Sequence, residues 1–480
     1  MKNVKMFSVV ILSVCLIILW MGGAAVAASY NVNKEKFLTE KNIFDDPRST
    51  TAVTKKYLPP DVYKSFCHDI GKMQQLQAEV SGFKSPDVVG KIAPEIKPGK
   101  YSYQDKGNKP GLKALMIPIM YNYFFTKGGR PFAGCYPEIE VVPTRQVYNT
   151  LPQLELTLKS MGKTKQDAQG YIQWKTWEGG IPFPRPSGPD RIKAMQIIYN
   201  FQYCHKGFDD SVYMVRCQAV DKSFHTVMAS DTWGRILRTG GRVTNPPYGW
   251  IDARAKEQGE IQTTQMMYLS PRDMYGSVTQ LVARLPATEP DGLWAYSGML
   301  RRVRKLSGTD SQDAAVGGYA IFDDAGGWYR KMSPTGFQMD FKITEEREFL
   351  APAYDSEATQ YISSKDMTTH GLKFERRPVY VIEVTHKDPS YVYGRTVLYV
   401  DKETFDVIVN ESYDRQGRLW RSMLFHPIFY PEMGIRQINY SPNYDHQAEQ
   451  SCVGFLYLVP ATYLKRDDFS IVNLGRQAIK

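Results

Sequence analysis

From residue 211 onward the chain is a succession of short runs in which apolar side chains recur at alternate positions. Runs at 212–220, 224–229, 233–243, 261–269, 275–285, 293–306, 337–343, 379–386, 396–400, 405–412, 419–425, 435–440 and 452–459 are rich in β-branched and aromatic residues. Polar turn residues bound them, so each reads as a strand. Residues 401–404 (Asp-Lys-Glu-Thr) and 414–417 (Asp-Arg-Gln-Gly) read as hairpin loops. Helical patterns between the runs are scarce, which favours an antiparallel sheet over parallel crossovers. Several strands carry large apolar groups on both faces. Tyr380, Ile382 and Val384 line one face of 379–386, and Val379 and Val381 start the other. Likewise Leu419, Met423 and Phe425 oppose Trp420 and Leu424. A sheet with one face in water alternates more cleanly, so this one is covered on both sides or curls round an apolar hollow.

Helical periodicity is concentrated earlier. Pro60 suits the first turn of a helix whose stripe runs Val62, Phe66, Ile70, Met73. Residues 151–161 fit another. Ser187 as cap, Pro189 in the first turn, Asp190 as capping-box acid and Gly207 as terminator outline a helix over 188–206. Residues 194–204 within it carry no charge. Met195, Tyr199 and Tyr203 form one stripe; Ala194, Ile197, Ile198 and Phe201 form another. Such a helix must be covered on most sides, either filling a core against the sheet or plugging a cavity. Residues 29–57 read as a polar arm and 84–112, rich in Pro, Gly and Lys, as a wrapping segment. The expected organisation is a leader over 1–28, an N-terminal extension of helices and wrapping segments over 29–175, and a sheet domain over 176–480.

Residues 293–306 suggest a ligand. They read as a strand kinked at Ser297-Gly298. Trp294 and Tyr296 share a face before the kink, and Arg302 and Arg304 share one after it. An apolar end followed by a cationic end suits a molecule with a greasy body and an acidic head. The expected contacts are Trp294, Tyr296, Met299 and Leu300 for the body and Arg302 and Arg304 for the head. Tyr199 and Phe201 would contribute from the uncharged helix. A sheet strand with solvated arginines fits the same pattern.

The N-terminus reads as a signal peptide. Lys2 and Lys5 precede the uncharged apolar run 6–21, and small residues at 24–28 suit cleavage after Ala28. A periplasmic protein is therefore expected. Cleavage removes two lysines and no acid, taking the formal charge of +10 to +8. An exported basic protein meets acidic lipid, polysaccharide or an acidic partner rather than nucleic acid. Five cysteines remain beyond residue 28, and an odd, sparse set is no disulfide framework. Cys204 with Cys217 is the first candidate for a single bridge. The hydrolase elbow Gly-x-Ser-x-Gly and the Cys-x-x-Cys and His-Glu-x-x-His signatures do not occur. No catalytic residue, metal or cofactor is expected. Asp310, Asp313, Asp323 and Asp324 read as turn and capping acids.

Three stretches carry a family resemblance: Gly179-Gly-Ile-Pro-Phe-Pro184, Leu300-Arg-Arg-Val-Arg-Lys-Leu306, and Arg377-Pro-Val-Tyr-Val-Ile-Glu-Val384 with Tyr413-Asp-Arg-Gln-Gly-Arg-Leu-Trp420. Together they resemble the bacterial family termed domain of unknown function 1329, from Lys91 to the C-terminus. That family is similar to periplasmic lipoprotein carriers of the LolA type. The resemblance implies an α+β fold: a strongly curved antiparallel sheet, an incomplete barrel, with helices over its concave face. It also implies work beside membrane transporters of the resistance–nodulation–division class. It brings no established catalytic residues. Two functions follow. One is a non-catalytic carrier of a hydrophobic, acidic ligand such as a lipid or acylated protein. The other is an adaptor that docks a transporter or outer-membrane protein and holds no ligand.

Overall fold

The computed structural model describes residues 44–48, 57–128, 132–306, 312, 320–336 and 338–477. The expected leader, nearly all of the polar arm, and Asp310 and Asp313 lie outside them. The alternating runs form one sheet of sixteen strands. In chain order these are β1 (Gly99–Ser102), β2 (Glu138–Val141), β3 (Asp210–Val220), β4 (Thr226–Arg238), β5 (Glu260–Tyr268), β6 (Val278–Arg284), β7 (Gly292–Ser297) and β8 (Arg302–Leu306). Then come β9 (Met339–Pro352), β10 (Lys373–His386), β11 (Arg395–Asp401), β12 (Val407–Tyr413), β13 (Leu419–Leu424), β14 (His426–Tyr430), β15 (Ile435–Asp445) and β16 (Gln450–Pro460). The hydrogen-bonded path is β1-β2-β10-β11-β12-β13-β15-β16-β3-β4-β5-β6-β7-β8, with β9 on β10 and β14 on β15. Its ends do not meet, so the curved sheet is an incomplete barrel. Pairing is antiparallel except where β2 meets the start of β10, with Lys373 opposite Glu140.

Both expected hairpin loops form. Asp401 Oδ1 accepts from the N–H groups of Glu403 and Thr404 at 2.8 and 2.9 Å. Asp414 Oδ1 accepts from Gln416 and Arg418 N–H, both at 2.9 Å. The run at 293–306 differs. It is a hairpin of two strands, with Arg302 opposite Ser297 and Leu306 opposite Leu293. Arg301 takes a positive φ of 50° in the turn. The glycine at 298 thus marks a chain reversal rather than a kink.

The two faces of the sheet are covered by different material. Tyr380, Ile382 and Val384 turn inward and pack with Ala194, Ile197, Ile198 and Tyr199 of the helix Asp190–Tyr203. Val379 and Val381 turn outward into a cluster with Phe124, Phe132, Tyr136 and Ile139. The N-terminal residues thus cover both faces: residues 112–141 pack on the outer one and lend the sheet β1 and β2, while Met73, Val80, Tyr148 and Leu154 join the inner cluster. Buried arginines tie them down. Arg376 pairs with Glu348 at 2.5 Å and donates to the carbonyls of Ile92, Ala93 and Ile96. Arg377 pairs with Asp401 at 2.5 Å and Glu403 at 2.9 Å. Glu403 in turn accepts from the N–H groups of Ser85 and Val147. Each such arginine is worth several kcal/mol to the fold, since removing it strands buried carboxylates.

Helix boundaries correct the sequence reading in two places. The single stripe from Val62 to Met73 divides into Pro60–Ser65 and Ile70–Ser81. Asp69 starts the second by accepting from Lys72 N–H at 2.6 Å. The helix runs Asp190–Tyr203 after Pro189, and Ser187 does not cap it. Instead the Ser187 N–H donates to Gln196 Oε1. The helix stops short of Gly207. Among the described residues no helix is long and apolar enough to cross a membrane.

Candidate functional site

The Gly179-Gly180 pair sets the position of the long helix. Gly180 has φ 75°, and a Cβ there would lie 2.8 Å from Thr157 in the helix Leu151–Ser160. Only glycine allows that approach. The Ile181 N–H then donates to Thr157 Oγ1 at 3.0 Å. Two residues on, Phe183 is clamped by Asn200, whose side chain bonds both its N–H and its C=O at 2.8 and 2.6 Å. The segment is thus wedged between two helices, and Asp190–Tyr203 is fixed across the inner face.

Beneath the C-terminal half of that helix is a cavity of about 290 Å³. Its wall is mostly apolar: Ile236 of β4, Ile261 of β5, Leu281 and Ala283 of β6, Val407 of β12, and Ile438 and Leu458 from the far side. Tyr199, Phe201 and Tyr203 form the roof. A turn at Phe322–Gly327, continuing to Trp328 and Met332, closes one flank. A Cβ on Gly327 (φ 114°) would lie 2.9 Å from Val407, so the turn lies directly on β12. Asp323 and Asp324 hold it there, accepting from the hydroxyls of Tyr391 and Tyr393 at 2.9 and 2.5 Å. Asp324 also caps the turn through the Ile321 N–H at 3.3 Å. Both acids are turn-fixing groups, as their placement in sequence suggested. Burial pushes the Asp324 carboxyl up to about 6.

The wall also carries charge. Five cations (Lys206, Arg238, Arg284, Lys331, Arg436) face two carboxylates (Asp291, Asp406), so its fixed charge is positive. Lys331 pairs with Asp291 at 3.1 Å, and Arg284 lies 3.6 Å from Glu260 behind the wall. Asp406 accepts from Arg436 at 2.6 Å, Lys206 at 2.7 Å and the Tyr354 hydroxyl at 3.0 Å. Burial opposes its ionisation, but those two cations overcome it and hold the carboxyl well below the usual range. Asp406 in turn raises Arg436 against its own burial. Arg238 is different. Its Nε and Nη2 donate to the carbonyls of Gly240 and Tyr203 at 2.9 and 2.8 Å, and it forms no ion pair. Burial brings it down to about 10.

Cys204 and His205 also line the wall. Burial pushes the Cys204 thiol up and favours neutral His205. The thiol lies 3.5 Å from Asn149 Oδ1. His205 Nε2 faces Asp209 Oδ1 at 3.1 Å but out of hydrogen-bonding alignment. The geometry therefore binds and orients better than it activates a nucleophile. Among the described residues no group of His, Cys, Asp and Glu is placed to hold a metal ion.

A family model described as "Protein of unknown function (DUF1329)" matches residues 128–462, well over half the chain. The chain belongs to the DUF1329 family. A Pseudomonas aeruginosa protein described as uncharacterised is 21% identical over 306 residues, 60% of this chain and 62% of that relative's length. Three solved structures are similar at TM-scores below 0.5. One is a candidate outer membrane lipoprotein-sorting protein domain from Vibrio parahaemolyticus: TM-score 0.43, 17% identity, 59% of this chain and 99% of that one. Another is a DUF1329 family protein from Desulfovibrio piger: 0.40, 14%, 56% and 92%. The third is a LolA superfamily protein from Nitrosomonas europaea: 0.35, 15%, 58% and 97%.

In this DUF1329 protein the sequence-expected contacts separate into two groups. Tyr199 and Phe201 lie on the cavity roof. Trp294, Tyr296, Met299, Leu300, Arg302 and Arg304 do not line the cavity, which corrects the expectation that they surround the hollow. Tyr296 pairs opposite Val278 and Trp294 opposite Gln280. That register turns both rings outward, against Val278, Ile471 and Leu474. Met299 and Leu300 sit in the hairpin turn, 74% and 57% exposed, and Arg302 and Arg304 are exposed on β8. The expected Cys204–Cys217 bridge is also corrected. Cys204 and Cys217 are both thiols and form no bridge. Cys204 sits in the cavity wall, whereas Cys217 packs beside Cys452 across β3 and β16. Sequence reasoning missed Arg238, Asp406 and Arg436. The one local signal was Cys204-His205-Lys206, polar residues abruptly following an uncharged helix.

Proposed function

We propose that this protein is a periplasmic binding or carrier protein for a hydrophobic ligand with an acidic group, and that it does no chemistry on it. One observation carries the reading. The outer face is covered by a large cluster of buried side chains, and the inner face holds an apolar hollow of about 290 Å³ under a fixed helix. That is near the lower end of small-molecule pockets, about 300 Å³ and upward. Each methylene buried there contributes about 0.8 kcal/mol, so ten supply on the order of 8 kcal/mol before losses, which bounds affinity near the micromolar range. The positive wall supports an acidic ligand. The N-terminal leader pattern supports export. Native mass spectrometry of the chain purified from the cell envelope without detergent tests the proposal. One amphiphile per chain is expected; no co-purified molecule and no mass shift with added lipids would overturn it.

A second reading, an adaptor for a membrane transporter or outer-membrane protein, is favoured by the β7–β8 hairpin. It projects Met299 and Leu300 beside exposed arginines, and among the described residues no strand pairs with the outer edge of β8. A photo-crosslinker at position 300 in cells should then capture one stoichiometric protein partner. Capture of none rejects this reading.

A further inference from the structure

Of the six buried arginines among the described residues, four pair with carboxylates: Arg242 with Asp210, Arg376 with Glu348, Arg377 with Asp401 and Arg436 with Asp406. Arg330 stacks on Tyr391 and meets His386. Arg238, only 4% exposed, has two backbone carbonyls and no carboxylate, and it is on the wall of the cavity. Asp209 does not pair with it. That carboxylate accepts on Oδ2 from the N–H groups of Val243, Thr244 and Asn245, at 2.9, 2.5 and 2.8 Å, and its charge reaches Arg238 only through space, without a direct contact. A buried guanidinium with no carboxylate in direct contact is under-compensated, and an anion entering the cavity would complete its pairing.

The fixing of Arg238 points the same way. Its Nε and Nη2 are anchored to the Gly240 and Tyr203 carbonyls, and Nη1 makes no hydrogen bond. On β4, Arg238 follows Ile236 on the same face, and both belong to the cavity wall. The guanidinium is therefore held rigidly at the end of an apolar surface. A space of about 290 Å³ suits one alkyl chain and not the two or three chains of a membrane lipid or lipoprotein anchor. We propose that the cavity takes a single-chain amphiphile with an anionic head, and that Arg238 binds that head. This rests on the reading of the cavity as a ligand site.

The shared chemistry is one negative charge on one chain, and either a carboxylate or a phosphate supplies it. The probes are cis-parinaric acid, whose fluorescence rises in apolar sites, and its methyl ester, which has the same chain and no charge. The full chain should bind the acid at least tenfold more tightly than the ester. Arg238→Gln should reduce that preference to about twofold while keeping ester affinity, and Arg238→Lys should restore most of it. A role for Arg238 confined to capping the Tyr203 carbonyl predicts no change in the acid-to-ester ratio. Dodecanoate and lysophosphatidylglycerol as competitors then distinguish the sources, and displacement by either supports the proposal. Equal binding of acid and ester by the unmodified chain would overturn the proposal and leave the cavity reading standing. Binding of neither probe would overturn both. Because the unmodified chain gives the ratio by itself, a variant that fails to fold does not remove the test.

Discussion

The outer and inner faces of the one sheet are equally apolar in sequence and end in different states. Outside, residues of the N-terminal extension press aromatic rings onto the strands. Phe124 and Phe132 meet Tyr444 edge-on at 4.3 and 4.8 Å between centroids. An irregular, proline-rich segment can follow a curved surface and fill it. Inside, the cover is the helix Asp190–Tyr203, roughly 21 Å long at 1.5 Å per residue, together with the helices Ile70–Ser81 and Leu151–Ser160 and the turn at Phe322–Gly327. These regular elements leave about 290 Å³ unfilled beneath Tyr199, Phe201 and Tyr203. The comparison teaches that the hollow does not come from a lack of apolar side chains, since both faces bury them in large clusters.

The largest effects should separate the faces by truncation. Phe124→Ala on the outer face should destabilise by about 3–5 kcal/mol, because the surroundings are rigid and full. Phe201→Ala on the cavity roof should cost less, about 1–2 kcal/mol, because that ring is only half-buried and already borders empty space, so it has fewer contacts to lose. Urea unfolding measures both, and equal losses would break the comparison. Next in size is the contrast between the two arginines of the wall. Arg436→Met leaves Asp406 with one cation and should cost about 3 kcal/mol. Arg238→Met strands no carboxylate and should change stability by about 1 kcal/mol or less.

The turn over the cavity adds a pH test. Asp324 titrates near 6 in the fold and at 3.8 when exposed. Its protonated form is the one the fold favours. Its stabilising contribution is complete below pH 3.8 and is lost as pH rises through about 6. Asp324→Asn imitates the protonated acid. At ~1.4 kcal/mol per pH unit, the variant should gain roughly 3 kcal/mol over the parent at pH 8 and little at pH 4. The smallest contrast is overpacking. Ala133→Leu in the outer core should cost about 1–2 kcal/mol, whereas Ala283→Leu, facing the cavity, should cost about 0.5 kcal/mol or less.

The strands and both charged hairpin loops were legible because alternation and turn residues are local. So was the uncharged helix, whose stripes needed cover on every side. The face of a strand was not. Trp294 and Tyr296 share a face, as read, but the parity that turns them outward is set by pairing with β6, and a one-residue change of register would reverse it. The break between Phe66 and Ile70 was hidden because a short capped restart keeps the helical stripe. Nor was the charged wall legible, because Arg238, Asp406 and Arg436 come from β4, the β11–β12 loop and β15. Nothing in their local sequence marks them, and the fold alone brings them together.

The most direct measurement is a crystal structure of the protein grown with 12-bromododecanoate, read by the anomalous signal of bromine. The account predicts one bromine peak under the helix Asp190–Tyr203, among Ile261, Leu281 and Ala283, with the carboxylate toward Arg238. Bromine on the outer face or at the Met299–Leu300 turn, or an inner face closed by side chains with no bromine at all, would contradict it.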